Sequence, residues 1–363
     1  MANRHIAVRT GLLAAALCLA TVGCTASGSQ DTSSTSTEPD RVAMEADLER
    51  LAEETADFDL VRAVVVATSD DVLLERYHEA DRDTSWNVHG VTGAVISTLV
   101  GVAVDEGLIA GPDATLAELL PTQAEAMPPR VARTTLRQLL TMTAGFPSGR
   151  DFTTADDWVR SIVQKPEGPP GSDFAYSQAT AHLLAAIVAR AGQVSVLDFA
   201  RAQLFDPLGI ETRPAMQGPA GIGRTPEFRR AQFAWTRDPQ GVHAGWNGIK
   251  LRPRDLVALG RLVLAEGIHN GEQIVSKAWL DDATAPQVPV TGARDGYGYL
   301  WWTDELDGAD AAIAQGAGGQ LLVVVPTRDL VVVTAGRGIS PQTLVDVVEE
   351  AIVTNVPEQP VGP

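Results

Sequence analysis

Cysteine is almost missing from the chain: Cys18 and Cys24 are the two among 363 residues. Both fall in the first two dozen positions. The body beyond them therefore has no disulfide, no thiol nucleophile and no cysteine metal site. Lysine is nearly as scarce, with Lys165, Lys250 and Lys277 against a background of arginines. Chemistry that needs a lysine has few positions to choose from. Basic charge is short overall, 28 Lys and Arg against 46 Asp and Glu, for a net charge of -18. That balance argues against nucleic acid or an anionic membrane surface as a partner. No His-Glu-x-x-His or comparable spacing is present among the histidines, so no metal and no cofactor is expected.

What is present divides the chain. Arg4 and Arg9 precede an apolar stretch from Gly11 to Ala20, too short for a comfortable membrane span. Thr21-Val22-Gly23-Cys24 resembles a bacterial lipoprotein cleavage box with Cys24 as the lipid-carrying residue. We expect a signal peptide over 1–23, a Ser/Thr-rich tether over 24–41, a folded domain over 42–356 and a short tail over 357–363. The expected location is the outer face of the bacterial cytoplasmic membrane, with the lipid as the membrane contact.

Within the domain, periodicity predicts a helix over 42–58, then a hairpin of strands over 60–68 and 72–78 joined by Ser69-Asp70-Asp71. Val91 to Val104 is apolar on every face, which marks a buried central helix. Helices are expected over 135–142, 158–164, 176–191, 196–204 and 252–265. Gly218 to Gly248 has no clear period, and long loops of that kind are often functional. Strands are expected over 299–303, 311–325 and 330–335, with a closing helix over 343–353. Strands thus bracket a helical middle and helices bracket the strands. The fold class is α+β: a mostly antiparallel sheet flanked by terminal helices, with an inserted helical region.

Five segments carry a resemblance. They are Thr135-Leu136-Arg137-Gln138-Leu139-Leu140-Thr141 onward to Gly145-Phe146, and Pro169-Pro170-Gly171 through Tyr176-Ser177-Gln178. The others are Phe205-Asp206-Pro207-Leu208-Gly209, Arg252-Pro253-Arg254-Asp255-Leu256, and Gly316-Ala317-Gly318-Gly319-Gln320 with Val323-Val324-Val325-Pro326. In this order they resemble the class C β-lactamase and penicillin-binding-protein-like serine hydrolases. The resemblance implies a β-lactamase/transpeptidase-like fold. It also implies a Ser-x-x-Lys at the start of the central helix, where the serine attacks a carbonyl and the lysine one turn on helps take its proton.

Here the chain departs from the family. The aligned positions are Gly90 and Gly93, and no Ser-x-x-Lys occurs elsewhere. Tyr-x-Asn becomes Tyr176-Ser177-Gln178, and the lead residue of the third element falls on Ala317. The losses are coupled: a lysine left without its serine is a poorly paired buried ammonium, and removing both avoids that. The two glycines also sacrifice roughly 1 kcal/mol each of helix propensity.

Substitute nucleophiles are weak candidates. Thr92 lies roughly 200° around the helix from Gly90. Ser85, Ser97 and Ser148 read as capping, packing and loop hydroxyls, and the surroundings of Ser148 lack the Gly-x-Ser-x-Gly spacing. His89, His182 and His243 read as packed. Trp235, Trp246, Trp301 and Trp302 read first as core, and Lys250 and Lys277 as solvated. The expectation is a cell-envelope protein with a degenerate serine-hydrolase site. Its old cleft would bind a ligand through Gly90, Tyr176, Gly318, Gly319 and Gln320. Peptidoglycan fragments and β-lactams are candidates by the resemblance. The alternatives are a weak esterase, amidase or β-lactam hydrolase with a non-standard nucleophile, and a structural or assembly protein.

Overall fold

The computed structural model describes residues 38–54, 60–219, 223, 225–292 and 294–358. The expected signal peptide, most of the tether and the last five residues of the tail lie outside them.

An eight-stranded sheet forms the frame. Its strands are β1 (Val61–Ala67), β2 (Val72–Tyr77), β9 (Val288–Pro289), β10 (Gly296–Tyr297), β11 (Trp302–Leu306), β12 (Ala309–Gly316), β13 (Gln320–Val325) and β14 (Leu330–Gly336). The order is β2-β1-β14-β13-β12-β11-β10-β9, and every pairing is antiparallel. Strands β13 and β14 are buried along their whole length. Both faces of the sheet are covered, which is why their sequences read as valine runs rather than alternating patterns.

One face packs on the terminal helices. Met44 and Leu48 of helix Glu38–Glu54, with Leu344 and Val348 of helix Pro341–Ala351, meet Val66, Val323 and Val332. The other face packs on the inserted helical region, where Val65, Val324, Val331 and Val333 join a larger core. At its centre is helix Thr92–Asp105, led by a tight turn over His89–Val91. Residues 92–103 of this helix are all buried, as the all-round apolar pattern predicts. A glycine lets a neighbour approach it closely: the indole of Trp279 lies directly over Gly101, where a β-carbon would stand 2.6 Å from Cγ. The indole N–H donates to the Ser97 carbonyl at 3.1 Å.

The sequence reading places most of the elements it names within a few residues; besides elements it did not name, such as helix Lys277–Thr284, three differences stand out. The first helix begins at Glu38 rather than 42. The single strand expected over 311–325 is a hairpin, turned at Ala317-Gly318-Gly319 with φ of +86° and +98° at the two glycines. A left-handed pair of glycines supplies the reversal that a continuous strand would lack. A second sheet of β3 (Trp86–Asn87), β4 (Ala215–Met216), β5 (Phe233–Trp235) and β6 (Ile249–Leu251) was not anticipated. Nor was the small hairpin of β7 (Ile268–His269) and β8 (Glu272–Gln273). Strands of two or three residues are too short to show a period.

Candidate functional site

A cleft of about 880 Å³ opens where the start of the central helix meets the end of β12. Most of its lining comes from four places in the chain, with Arg150 and Pro341 added singly. Strand β3 delivers Asn87, whose side-chain carbonyl accepts from the His89 N–H at 3.2 Å and the Gly248 N–H at 3.1 Å. That residue ties the turn to the 236–248 segment. His89 then takes a left-handed φ of +47°, unusual for a residue with a β-carbon. This bend presents Gly90 to the cleft as the first helical turn begins.

The second contribution is Tyr176-Ser177-Gln178. Ser177 caps the helix Gln178–Gly192, its hydroxyl accepting from the Thr180 N–H at 3.0 Å and donating to the Pro147 carbonyl at 2.7 Å. The backbone at Ser177 is extended, so its two neighbours point the same way, and both line the cleft. Tyr176 lies against Trp302 with ring planes 19° apart. Burial pushes its phenol up to about 12. The Gln178 side-chain oxygen is buried with no hydrogen-bond partner among the described residues.

The third contribution is the long aperiodic stretch, which brings Gly223, Thr236, Trp246, Asn247 and Gly248 to the wall. Behind it, the side chains of His182 and Asp238 are wholly buried, with Nε2 3.2 Å from the carboxylate. Phe152, Trp158 and Trp246 pack around the His182 ring. The fourth contribution is β11 and β12, with Trp302, Gln315, Gly316 and Ala317. A further cavity of about 660 Å³ adjoins, sharing Trp302, Gln315 and Pro341 and adding Phe174, Val288 and Val290.

The central feature is how closely two backbones meet. A β-carbon on Gly90 would run into the carbonyl oxygen of Gln315, and would stand 3.3 Å from the Tyr176 hydroxyl. From the other side, a β-carbon on Gly316 would lie 3.0 Å from both the Gly90 nitrogen and His89 Cβ. The helix start and strand β12 are therefore joined backbone to backbone, glycine against glycine. Gly93 is different: a β-carbon there would find Leu300 at 3.5 Å, an ordinary contact.

Of the positions singled out in the sequence, Gly90, Tyr176, Gln178 and Ala317 line the cleft. Gly93 is buried behind it. Gly318, Gly319 and Gln320 are not among the lining residues. Gly318 bridges to Ile339, a β-carbon on Gly319 would meet Ile339 and Leu344, and the Gln320 amide donates to the Gly336 carbonyl at 2.9 Å. The hairpin turn swings all three toward the closing helix.

The substitute nucleophiles are not brought together either. Thr92 and Ser97 are buried in the helix core, Ser148 is exposed, and Ser85 pairs with Gln232 at 3.5 Å. Trp235 and Trp301 are core, whereas Trp246 and Trp302 reach the cleft.

Lys250 is a correction. It is not solvated: its residue is 4% exposed, and Nζ donates to the carbonyls of Phe228, Arg229 and Ala231 at 3.1, 2.8 and 2.6 Å. It closes the C-terminal end of helix Pro226–Arg230, and burial pushes it down to about 8. Lys277 is exposed and pairs with Glu266 and Asp281. Neither lysine lines the cleft.

The electrostatics of the cleft stand out against the chain as a whole. No Asp or Glu is among its described lining residues, although the net charge is -18. Asn87, Gln178, Asn247 and Gln315 supply carboxamides, and Arg150 supplies a guanidinium at the mouth. Burial holds His89 below its usual range, favouring the neutral ring. No group of His, Cys, Asp or Glu suited to a metal ion is found among the described residues.

His243 sits behind the wall, and burial, with Arg237 adding to it, pushes its ring down to about 4. The folded state then binds fewer protons than the unfolded state between about pH 6.5 and 4. Stability is full above 6.5 and falls by about 3 kcal/mol as pH drops through that window. Urea unfolding across this range should show the slope, and His243→Met should flatten it. An unchanged slope in the variant would assign the effect to other groups.

Comparison with known proteins agrees with the geometry. The family model for β-lactamase matches residues 60–338. A 6-aminohexanoate-dimer hydrolase from Paenarthrobacter ureafaciens is 24% identical, covering 82% of this chain and 76% of its own. The solved octameric penicillin-binding protein homologue from Pyrococcus abyssi superposes with a TM-score of 0.66 at 16% identity, covering 86% of this chain and 78% of that one. A penicillin-binding protein homologue from Caulobacter crescentus gives 0.66 at 19% identity, covering 87% and 98%.

Proposed function

Because the chain belongs to the β-lactamase family, we propose that it is a non-catalytic cell-envelope member that holds a small ligand in the cleft beside Gly90. The observation that carries this reading is the glycine junction, where the family's serine would stand and a β-carbon meets the Gln315 carbonyl. Without a side chain at that place no acyl–enzyme ester forms. Gly93 removes the base as well. The remaining candidates for a weak hydrolase are poorly placed: Tyr176, with its raised phenol, is almost wholly protonated at neutral pH, and Thr92 faces the core. The open cleft favours ligand binding over a purely structural role.

The lining supports a neutral or anionic amide as ligand. Carboxamides and the Thr236 hydroxyl match groups that both donate and accept, aromatic rings cover apolar parts, and Arg150 suits a carboxylate. The Gly90 N–H, at the positive end of the central helix, has no acceptor among the described residues. Peptidoglycan fragments and β-lactams fit that description, as does the aminohexanoate dimer for which one relative is named.

Intact-protein mass spectrometry after incubation with penicillin and, separately, a fluorophosphonate tests the reading. No adduct is expected, while a serine-bearing relative is labelled. A stoichiometric adduct would replace the proposal with the weak-hydrolase alternative. We place the protein on the outer face of the cytoplasmic membrane through a lipid on Cys24. Cys24→Ser should move it from the membrane fraction to a soluble pool, and retention would refute the anchor.

A further inference from the structure

We propose that the cavity beside the cleft holds an uncharged acyl chain, so that the amide bound at Gly90 carries a hydrocarbon tail. This rests on the ligand reading of the cleft and specifies the class of molecule. The cavity, of about 660 Å³, is continuous with the cleft in its lining: Trp302, Gln315 and Pro341 belong to both. Gly90 and Arg150 belong to the cleft alone. A ligand that sets a carboxylate toward Arg150 and its amide at Gly90 therefore has the other side of the amide free to pass Trp302.

The two spaces differ in chemistry. The cleft presents polar and apolar surface in equal measure, whereas the surface of the cavity is mostly apolar. Phe174, Val288, Val290 and Trp302 supply it. Each packs against the main core on one side and is only partly buried. Val288 and Val290 stand two residues apart at the end of the sheet, the spacing that puts both on one side of an extended chain. Apolar surface left open in this way gains from a ligand that covers it, at about 25 cal/mol per Å².

The aromatic part of the wall is already assembled. The Phe174 ring lies 4.8 Å from Tyr297 and 5.3 Å from Trp302, and Trp302 meets Tyr297 edge-on at 5.0 Å. Side chains fixed by such packing lose little freedom when a ligand arrives.

The polar groups of the cavity argue for a tail without charge. The Arg294 side chain is 3% exposed and donates to Asp304 at 2.9 Å and to Gln315 at 3.4 Å, so its charge is answered within the protein. Asp173 is exposed beside the same space and repels a carboxylate at the end of a tail. An ammonium there would exchange water for an apolar wall.

Titration calorimetry of the mature protein with N-acylglycines, from acetyl to octanoyl, tests the proposal. Affinity should rise about twofold to fourfold with each methylene, the upper figure corresponding to full burial. The heat-capacity change should grow more negative along the series. Val290→Asp, at a half-buried position just past β9, should flatten the rise. Val194→Asp, an exposed valine that lines neither cavity, should leave the rise intact. Acetylglycine binding with no gain along the series would overturn the acyl tail and leave the cleft reading in place. No binding by any member would remove both. An unchanged rise in Val290→Asp, or equal flattening by Val194→Asp, would assign the gain to another surface and overturn the site. Tighter binding of the adipoyl than of the hexanoyl derivative would overturn the assignment of an uncharged tail.

Discussion

Replacing Asp238 with alanine is expected to lower the unfolding free energy by about 3–5 kcal/mol and to abolish the ligand binding proposed for the cleft. The size follows from burial. Asp238 and His182 face each other with both side chains inaccessible to water. The second Asp238 oxygen accepts from the Val242 N–H at 2.8 Å. Removing the carboxylate leaves a buried ring nitrogen and a half-buried backbone N–H without acceptors, and removing one member of such a pair costs far more than the pair contributes net. The functional loss follows from position. Asp238 sits between β5 and the Trp246-Asn247-Gly248 wall, and holds the turn that returns the chain to the cleft. Asp238→Asn keeps an oxygen for Val242 and should lose less, about 1–2 kcal/mol. Urea unfolding followed by tryptophan emission measures both. A loss under about 1 kcal/mol for the alanine variant would mean that the aromatic packing around His182, and not the pair, positions the wall.

This pair also shows where reading the sequence stops. His182 read as a packed histidine, Asp238 was not singled out at all, and nothing in their spacing joins them. By contrast, the frame of the fold was legible. The valine runs of β13 and β14 announce a sheet buried on both faces, and the all-round apolar 91–104 segment announces a central helix. The cleft residues Gly90, Tyr176 and Gln178 were legible because each stands beside a recognisable helix start. Gly318, Gly319 and Gln320 were misplaced because two left-handed glycines turn the chain between β12 and β13. Lys250 was misread for a related reason. Its partners are three carbonyls, which carry no side-chain signature, so a buried ammonium looks like any surface lysine.

Gly90→Ser is expected to lower stability by about 1–3 kcal/mol and to give no nitrocefin turnover, whereas Gly93→Ala should raise stability by about 0.5–1 kcal/mol. The two glycines look equivalent in sequence, each standing where a catalytic side chain is expected and each weakening the helix. Their surroundings separate them. At Gly93 a methyl group would make only ordinary contact with Leu300, so alanine recovers helix propensity at little steric cost. At Gly90 a β-carbon meets the Gln315 carbonyl, which is backbone in a paired strand and cannot rotate away. To admit a serine, the end of β12 must withdraw from the helix start, and Gly316 and His89 must move with it. The hydroxyl would also arrive without a base, since Lys250 is tied to its three carbonyls. The same reasoning covers the double variant Gly90→Ser/Gly93→Lys, which restores both groups in name but not the gap between helix and strand in which they work. It should show no nitrocefin turnover and be less stable than the parent. Thermal unfolding of the single variants decides first. If Gly90→Ser is as stable as the parent, the junction yields easily and loses its force as the reason for the proposed lack of catalysis. If it is destabilised while Gly93→Ala is stabilised, the helix start and β12 have closed on the place of the missing serine, and restoring the nucleophile requires moving a strand.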